Sequence, residues 1–432
     1  MTDVRATAAG EPAPTFSVVV ATYDRGAHIR PTLHSVLEQT FRDFELIVVG
    51  DGCNDDTMDV VRAVGSAQIS TYELPANSGS QSAPNNLGVA RSRGRYIAYL
   101  GHDDIWHPDH LANIADTFAR GAAPDVVASG CVYHGPQKSG ITFVTGLLDG
   151  EHPPSAHFLP PSALAHRRDL LDRIGLWRDP HCLSAPADSD IMLRAERGGA
   201  RFASTGKVTV HKFAAGHRYL SYLRPASTEQ ELMLSGVRRF GPPSAWDFLV
   251  EAARRQGRYM TMKHFDYEAL GKGHIYRQNR SNKGLRRPPL RELAGKVVLE
   301  QTEEARGLDW HELEDAFRWS GPSPRPHVLI PFKGDCTVYA ALDVREGTPD
   351  EILDAISVEC EGQSMPHVVT RSAPHIRRIE LAFPLNPDDY TVLCISTPRM
   401  FRPSDRTAGG DTRLLGIALG DIEIDVTSPG SS

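Results

Sequence analysis

Between residues 16 and 119, short apolar runs alternate with stretches of helical period, and that alternation dictates the fold class. "FSVVVAT", starting at Phe16, is continuous and valine-rich, as a buried parallel strand requires. In "HIRPTLHSVLEQT", Ile29, Leu33, Val36 and Leu37 recur at helical spacing. "FELIVVGDG" reads as a second buried strand ending in a turn. "DDTMDVVRAVG" predicts a helix with an aspartate at its N-cap and Gly65 at its stop. "RYIAYLGHDD" is a further strand. In "PDHLANIADTFAR", Pro108 suits a first helical position, and Leu111, Ile114, Ala115 and Phe118 line one face. This order predicts an α/β domain, a parallel sheet with helices on both faces. Ligands bind such sheets at the carboxyl ends of the strands. Three of those ends carry Tyr23 and Asp24, Asp51, and Asp103 with Asp104.

The texture changes further along. "TEQELMLSGVRRF", "SAWDFLVEAARRQG" and "GLDWHELEDAFRW" predict amphipathic helices, so residues 223–322 read as a helical linking region. The stretch from Arg277 to Arg291 is strongly basic and reads as a solvated face, with an anionic acceptor or membrane surface as a second reading. After "SGPSPRPH", the runs "HVLIPF", "CTVYAALDV", "RRIELAFPL", "YTVLCIST" and "LLGIALGDIEI" predict closely spaced strands, an all-β sandwich over 327–426. Residues 1–14 read as a disordered leader without an apolar signal core.

Clustered strand-end carboxylates suit a hard cation, Mg²⁺ or Mn²⁺, shared with a substrate's phosphates. Tyr23 could stack on a nucleobase, and Asp51 could accept a hydrogen bond from base or ribose. Neither a Walker loop nor a GxGxxG is present to hold phosphates by backbone amides. His102, His107 and His110 raise a zinc reading, but zinc-site spacing is missing, and His107 and His110 read as surface or capping residues. The formal net charge of −7 argues against a nucleic-acid partner. Six scattered cysteines without a CxxC pair, and no apolar run near the ~18 residues of a membrane span, predict a cytoplasmic protein. Peripheral contact with the inner membrane face is a secondary reading.

The ordered stretches "SVVVATYDR", "SVLEQTFRDFELIVVGDGCNDDT" and "NSGSQSAPNNLGVARSRGRYIAYLGHDD" resemble the donor half of family 2 glycosyltransferases. "PPSALAHRRDLLDRIGLW" and "ADSDIMLRAERGGARF" resemble the acceptor half, so the resemblance covers residues 15–222. It implies a GT-A, Rossmann-like nucleotide-binding fold and a nucleotide-sugar donor, a UDP-sugar first among them. Tyr23 matches the aromatic that packs on the base, and Asp51 the second aspartate of the family's "DDGS" turn. Asp103 matches the last aspartate of the DXD motif, the principal metal ligand, and Asp188 the aspartate of the "ED" pair, the general base. Donor contacts are further implied at Ala21, Asn86 and His102, and metal contacts at Asp104 and His211. Gly50, Asn85, Gly101 and Ala187 depart from the family pattern. "MFRPSDRTAGGDTRLLGIALGDIEI" resembles the end of β-sandwich segments attached to bacterial polysaccharide glycosyltransferases.

The expectation is therefore a metal-dependent, inverting glycosyltransferase acting on a hydroxyl acceptor (glycan, lipid-linked or small-molecule), in bacterial glycan or polysaccharide biosynthesis. A homo-oligomer stays open. The rival is a non-catalytic sugar- or nucleotide-binding protein with a degenerate transferase fold.

Overall fold

The computed structural model describes residues 12–120, 123–135, 142–213, 221–222, 228–240, 247–255, 272–273, 275–277, 280, 288–301, 310–321, 325–397, 399–403 and 415–426. Most of the expected leader and most of the basic run from Arg277 to Arg291 lie outside them. The chain divides into two compact units. The first comprises Met1–Gly135, Gly140–Ala215 and Tyr222–Asn279; the second comprises Arg280–Ser432 with Pro136–Ser139 and Gly216–Ser221.

In the first unit the expected alternation is realised. Its elements are β1 (Phe16–Thr22), α1 (Arg30–Leu37), β2 (Phe44–Gly50), α2 (Thr57–Ala63), β3 (Ile69–Glu73), α3 (Ser82–Arg91) and β4 (Tyr96–Tyr99). They continue with β5 (Ile105–Trp106), α4 (His110–Ala119), β6 (Val126–His134), β7 (Thr142–Thr145), β8 (Leu164–Arg167), α5 (Leu170–Ile174), α6 (Ala187–Arg197) and β9 (Phe202–Phe213). The sheet order is β3-β2-β1-β4-β8-β6-β9-β5, with β7 on β6. β3, β2, β1 and β4 run parallel, in the register Thr22 opposite Gly50 and Val19 opposite Tyr99. Their carboxyl ends therefore emerge along one edge, where the polar residues following each strand lie.

Burial explains the valine-rich runs. Val18 and Val20 of β1 face one core, with Leu33 and Val36 of α1 and Leu111, Ile114 and Phe118 of α4. Val19 faces the other, with Ile97 and Tyr99 of β4 and Ile191, Met192 and Ala195 of α6. A strand covered on both sides has no polar face to alternate with. Each fully buried aliphatic side chain contributes about 1.5–3 kcal/mol.

Helices α7 (Thr228–Phe240) and α8 (Asp247–Arg255) also belong to this unit. Leu234 of α7 packs on Ile105 and Phe213, and Ala253 of α8 packs on Val132, Val144 and Val208.

The second unit is a β-sandwich. It opens with β10 (Arg291–Glu292), β11 (Val297–Leu299), β12 (Trp310–Glu314), β13 (Phe317–Ser320), β14 (His327–Ile330), β15 (Phe332–Lys333) and β16 (Thr337–Arg345). It closes with β17 (Ser357–Cys360), β18 (Gln363–Met365), β19 (His367–Ala373), β20 (Ile376–Pro384), β21 (Thr391–Ser396) and β22 (Ala418–Asp425). One sheet has the order β12-β13-β22-β16-β20-β19, with β11 on β22; the other is β14-β21-β17-β18. Val338, Leu342 and Ile424 of the first sheet share a core with Ile330, Val358 and Ile395 of the second.

The expected helix at "GLDWHELEDAFRW" is corrected: its described part is the β12–β13 hairpin. Asp315 takes a left-handed φ of 53° at the turn, and Trp319 pairs with Ala418 of β22. Pairing with a distant strand overrides the local helical spacing. Among the described residues, no helix is long and apolar enough to cross a membrane.

His107 and His110, expected at the surface, are fully buried. His110 stacks on Trp106 with ring centroids 4.2 Å apart, and its Nδ1 lies 2.6 Å from the Thr209 hydroxyl of β9. His166 of β8 is buried too, with Nε2 3.0 Å from the Tyr99 hydroxyl. Burial lowers the pKa to about 4 in His107, about 3 in His110 and about 4 in His166. Below the ordinary value near 6.5, the unfolded chain takes up protons that the folded chain refuses. Stability is therefore whole above that value and is lost as pH falls toward the folded pKa. By about pH 5 the loss is about 2 kcal/mol for each such histidine. Urea unfolding at neutral pH and at that pH checks this; an unchanged midpoint would contradict it.

Candidate functional site

The site edge starts where β1 ends. Ala21, half-buried, pairs with Val49, and Asp51 N donates to Thr22 O at 2.8 Å, so the ends of β1 and β2 are level. The buried Asp51 carboxylate holds the following loop: Oδ2 accepts from Asn77 Nδ2 at 3.0 Å and Oδ1 from Ser78 N at 2.9 Å. Gly52 makes that approach possible. Its φ is +66°, and a Cβ there would lie 2.3 Å from the Ala76 carbonyl carbon.

Tyr23, His102 and Asp103 come together through two residues that the sequence reading missed, Arg25 and Tyr222. Arg25 Nη2 donates to Asp103 Oδ2 at 3.0 Å, and its guanidinium lies 3.9 Å from the Tyr222 ring centroid. The Tyr222 hydroxyl is 3.2 Å from His102 Nε2, and its ring centroid is 5.7 Å from that of Tyr23. His102 Nε2 is 3.4 Å from Asp103 Oδ2. Arginine directly after "TYD" was a visible signal for the first residue. Nothing local marked Tyr222, which reaches the site from beyond β9.

Asp104 is turned elsewhere. Its Oδ2 accepts from Lys212 Nζ at 3.1 Å and from the Ser162 hydroxyl, and its Oδ1 accepts from Phe213 N at 2.9 Å. Burial alone would lower the Lys212 pKa, but the Asp104 carboxylate outweighs it and raises it. Both oxygens of this buried carboxylate tie the turn between β4 and β5 to Ser162 and the end of β9, so the structure gives Asp104 a structural role in place of the expected metal contact. His211 is likewise committed. Its Nε2 is 3.1 Å from His107 Nε2 and its Nδ1 is 3.0 Å from His134 Nε2, inside the core. With both ring nitrogens engaged by other histidines, it is not placed as a ligand beside Asp103. Burial, then its two histidine neighbours, hold its pKa well below the ordinary value.

Asn86 also departs from expectation. Its amide grips the backbone of Trp177 from both sides, donating to Trp177 O at 2.9 Å and accepting from Trp177 N at 3.0 Å. That fixes the α3–α5 region and accounts for the conspicuous asparagine. Asp188 stands half-buried in the first turn of α6, where Oδ1 accepts from Ser189 N at 2.9 Å. Asp190, on the same turn, is tied to Arg194 at 2.8 Å and Arg178 at 3.4 Å. Among the described residues Asp188, unlike Asp190, makes no ion pair.

A divalent cation fits here only as a shared ligand. Among the described residues, the one grouping of three potential ligand side chains is Asp24, Cys53 and Asp55, which does not include Asp103. Mg²⁺ commonly takes one or two carboxylates and completes its shell with water and substrate phosphates. Asp103, half-buried at a strand end, suits that arrangement.

Two departures from the family pattern have steric causes. A Cβ on Gly50 would lie 2.9 Å from Met58 Sδ, so that place is filled by sulfur and methylene. A Cβ on Gly101 would lie 2.7 Å from Asp104 Oδ2, and Gly101 N donates to Ser162 Oγ at 3.0 Å. A first DXD aspartate would therefore crowd the buried Asp104 carboxylate with like charge. Gly101→Asp is expected to destabilise the fold by about 1–3 kcal/mol without tightening Mn²⁺ binding. Urea unfolding and Mn²⁺ titration check this; a stable variant with tighter Mn²⁺ binding would contradict it.

Comparison with known proteins finds matches over the first unit. Residues 17–174 match the sequence model of glycosyl transferase family 2. An uncharacterized glycosyltransferase of Nostoc sp. is 29% identical over 178 residues, covering 37% of this chain and 52% of that protein. Poly(ribitol-phosphate) beta-N-acetylglucosaminyltransferase TarP of Staphylococcus aureus is 33% identical over 102 residues, 23% of this chain and 31% of that protein. UDP-Glc:alpha-D-GlcNAc-diphosphoundecaprenol beta-1,3-glucosyltransferase WfaP of Escherichia coli is 31% identical over 97 residues, 22% and 38% respectively. The chain thus spans about half or less of the length of these relatives. With the motif order, the sheet and these matches in place, residues 17–174, within the first compact unit, form a glycosyl transferase family 2 domain.

Proposed function

We propose that the first unit is an inverting glycosyltransferase that moves a sugar from a nucleoside diphosphate to a hydroxyl acceptor in bacterial glycan biosynthesis. The observation that carries this reading is the gathering of Tyr23, His102 and Asp103 at the carboxyl ends of β1 and β4, with Asp51 at the adjoining end of β2. A UDP-sugar is the favoured donor, because WfaP is named for one. Tyr23 offers a face to the base, and Asp51, with both carboxylate oxygens engaged by Asn77 and Ser78, holds the loop beside it instead of the expected base contact.

Asp103 would hold a divalent cation, which would supply charge stabilisation to the departing diphosphate. Asp188 takes the proton of the acceptor hydroxyl while that oxygen bonds to the anomeric carbon. The bond from that carbon to the diphosphate oxygen breaks in the same displacement. One displacement inverts the anomeric centre and needs no protein nucleophile. Six free thiols agree with a cytoplasmic, reducing setting. The sandwich is proposed as an accessory glycan-binding or assembly module.

Asp188→Asn keeps the size of the side chain and removes its basicity. It is expected to bind UDP with Mn²⁺ as the wild type does and to lose about 10²- to 10⁴-fold in transfer. Asp103→Asn is expected to lose Mn²⁺-dependent UDP binding and to melt at a lower temperature, because the buried Arg25 guanidinium loses its counter-ion. Calorimetric titration and a transfer assay separate the two. Wild-type protein that binds UDP with Mn²⁺ but transfers no sugar to any acceptor tried would favour the non-catalytic reading.

A further inference from the structure

We propose that Arg25 is an internal counter-ion for Asp103, occupying that carboxylate when no donor is bound and leaving it before a divalent cation binds there. The inference rests on the assignment of Asp103 to the cation made above.

Arg25 is built into the fold rather than draped over it. Its backbone N and that of Gly26 both donate to Thr57 Oγ1, at 2.6 and 2.7 Å. Its side chain is 2% exposed, with Nη2 3.0 Å from Asp103 Oδ2. The Tyr222 ring covers the guanidinium at 3.9 Å, and the Tyr222 hydroxyl meets His102 at 3.2 Å. Burial opposes the guanidinium charge, but Asp103 and then Tyr222 outweigh it and raise the pKa. A guanidinium does not deprotonate in proteins. Arg25 therefore leaves Asp103 only by moving, with its charge intact.

A cation within coordination distance of Asp103 Oδ2, about 2.1 Å for Mg²⁺, would sit against that guanidinium. Two positive charges so close in a half-buried place repel strongly. The donor resolves the conflict. Its diphosphate offers oxygens that a guanidinium binds in a forked geometry, and it completes the cation's shell. Nucleotide and cation consequently bind together, each raising the affinity for the other. Arg25 enlarges that coupling by suppressing binding of the cation alone.

The test is Mn²⁺ binding without nucleotide, measured on the full chain by electron paramagnetic resonance. Arg25→Gln is expected to bind Mn²⁺ about tenfold or more tightly than the wild type, since a neighbouring arginine shifts a carboxylate's ion binding by that order. Adding Asp103→Asn to that variant should abolish the gain. Tyr222→Ala, which leaves the guanidinium charge in place and removes its cover, should tighten Mn²⁺ binding in the same direction and by less. Arg25→Gln that binds Mn²⁺ no more tightly than wild type, while melting at a lower temperature, would show a structural arginine and overturn the proposal. Should Arg25→Gln not fold, Tyr222→Ala decides: unchanged Mn²⁺ affinity overturns the proposal and tighter binding supports it. Loss of UDP-dependent Mn²⁺ binding in the wild type would instead defeat the assignment of Asp103. Wild-type binding intact beside an unimproved Arg25→Gln would defeat only the counter-ion.

Discussion

The buried joint between Asp104 and Lys212 decides how the rest of this site can be arranged. The carboxylate is 2% exposed and receives Lys212, Ser162 and a backbone amide, so its charge is fully compensated. Removing one partner of such a pair typically costs about 3–5 kcal/mol, because the other charge remains buried alone. The joint fixes the turn before β5 against the end of β9. It also sets the roles of the neighbouring positions. Gly101 must lack a side chain, and Asp103 becomes the carboxylate at this strand end that remains 15% exposed.

The part of the fold legible in the sequence was the part fixed by local pattern. Continuous valine runs marked strands covered on both faces, and the sandwich strands from β14 onward alternated clearly enough to be read. The β12–β13 hairpin was not legible, because Trp310, Leu313 and Phe317 fit a helical stripe as well as a strand. Its pairing with β22, from a distant part of the chain, settled the matter. The histidines failed for the same reason. His107 and His110 follow a polar turn and look like surface residues, yet β9 covers them through Thr209 and His211.

The candidate site was legible in its motifs and not in its partners. Tyr23, Asp103 and Asp188 carry the proposed reading, whereas Asp51 spends both carboxylate oxygens on Asn77 and Ser78. Asn86, Asp104 and His211 carry equally suggestive chemistry, but spend it on Trp177, Lys212 and two histidines. Residue type reports what a group can do, while burial and partners decide whether it is still available to do it. Arg25 illustrates the opposite case. It lay in plain view in "TYDRG", and only its contact with Asp103 links it to the candidate site.

The most direct test is a crystal structure of the chain grown with UDP and Mn²⁺, with the cation located by its anomalous signal. The account predicts a manganese peak in coordination contact with Asp103 and the diphosphate. It also predicts that the Arg25 guanidinium has turned off Asp103 toward phosphate oxygen. UDP bound with the Arg25–Asp103 pair intact and no cation on Asp103 would contradict it.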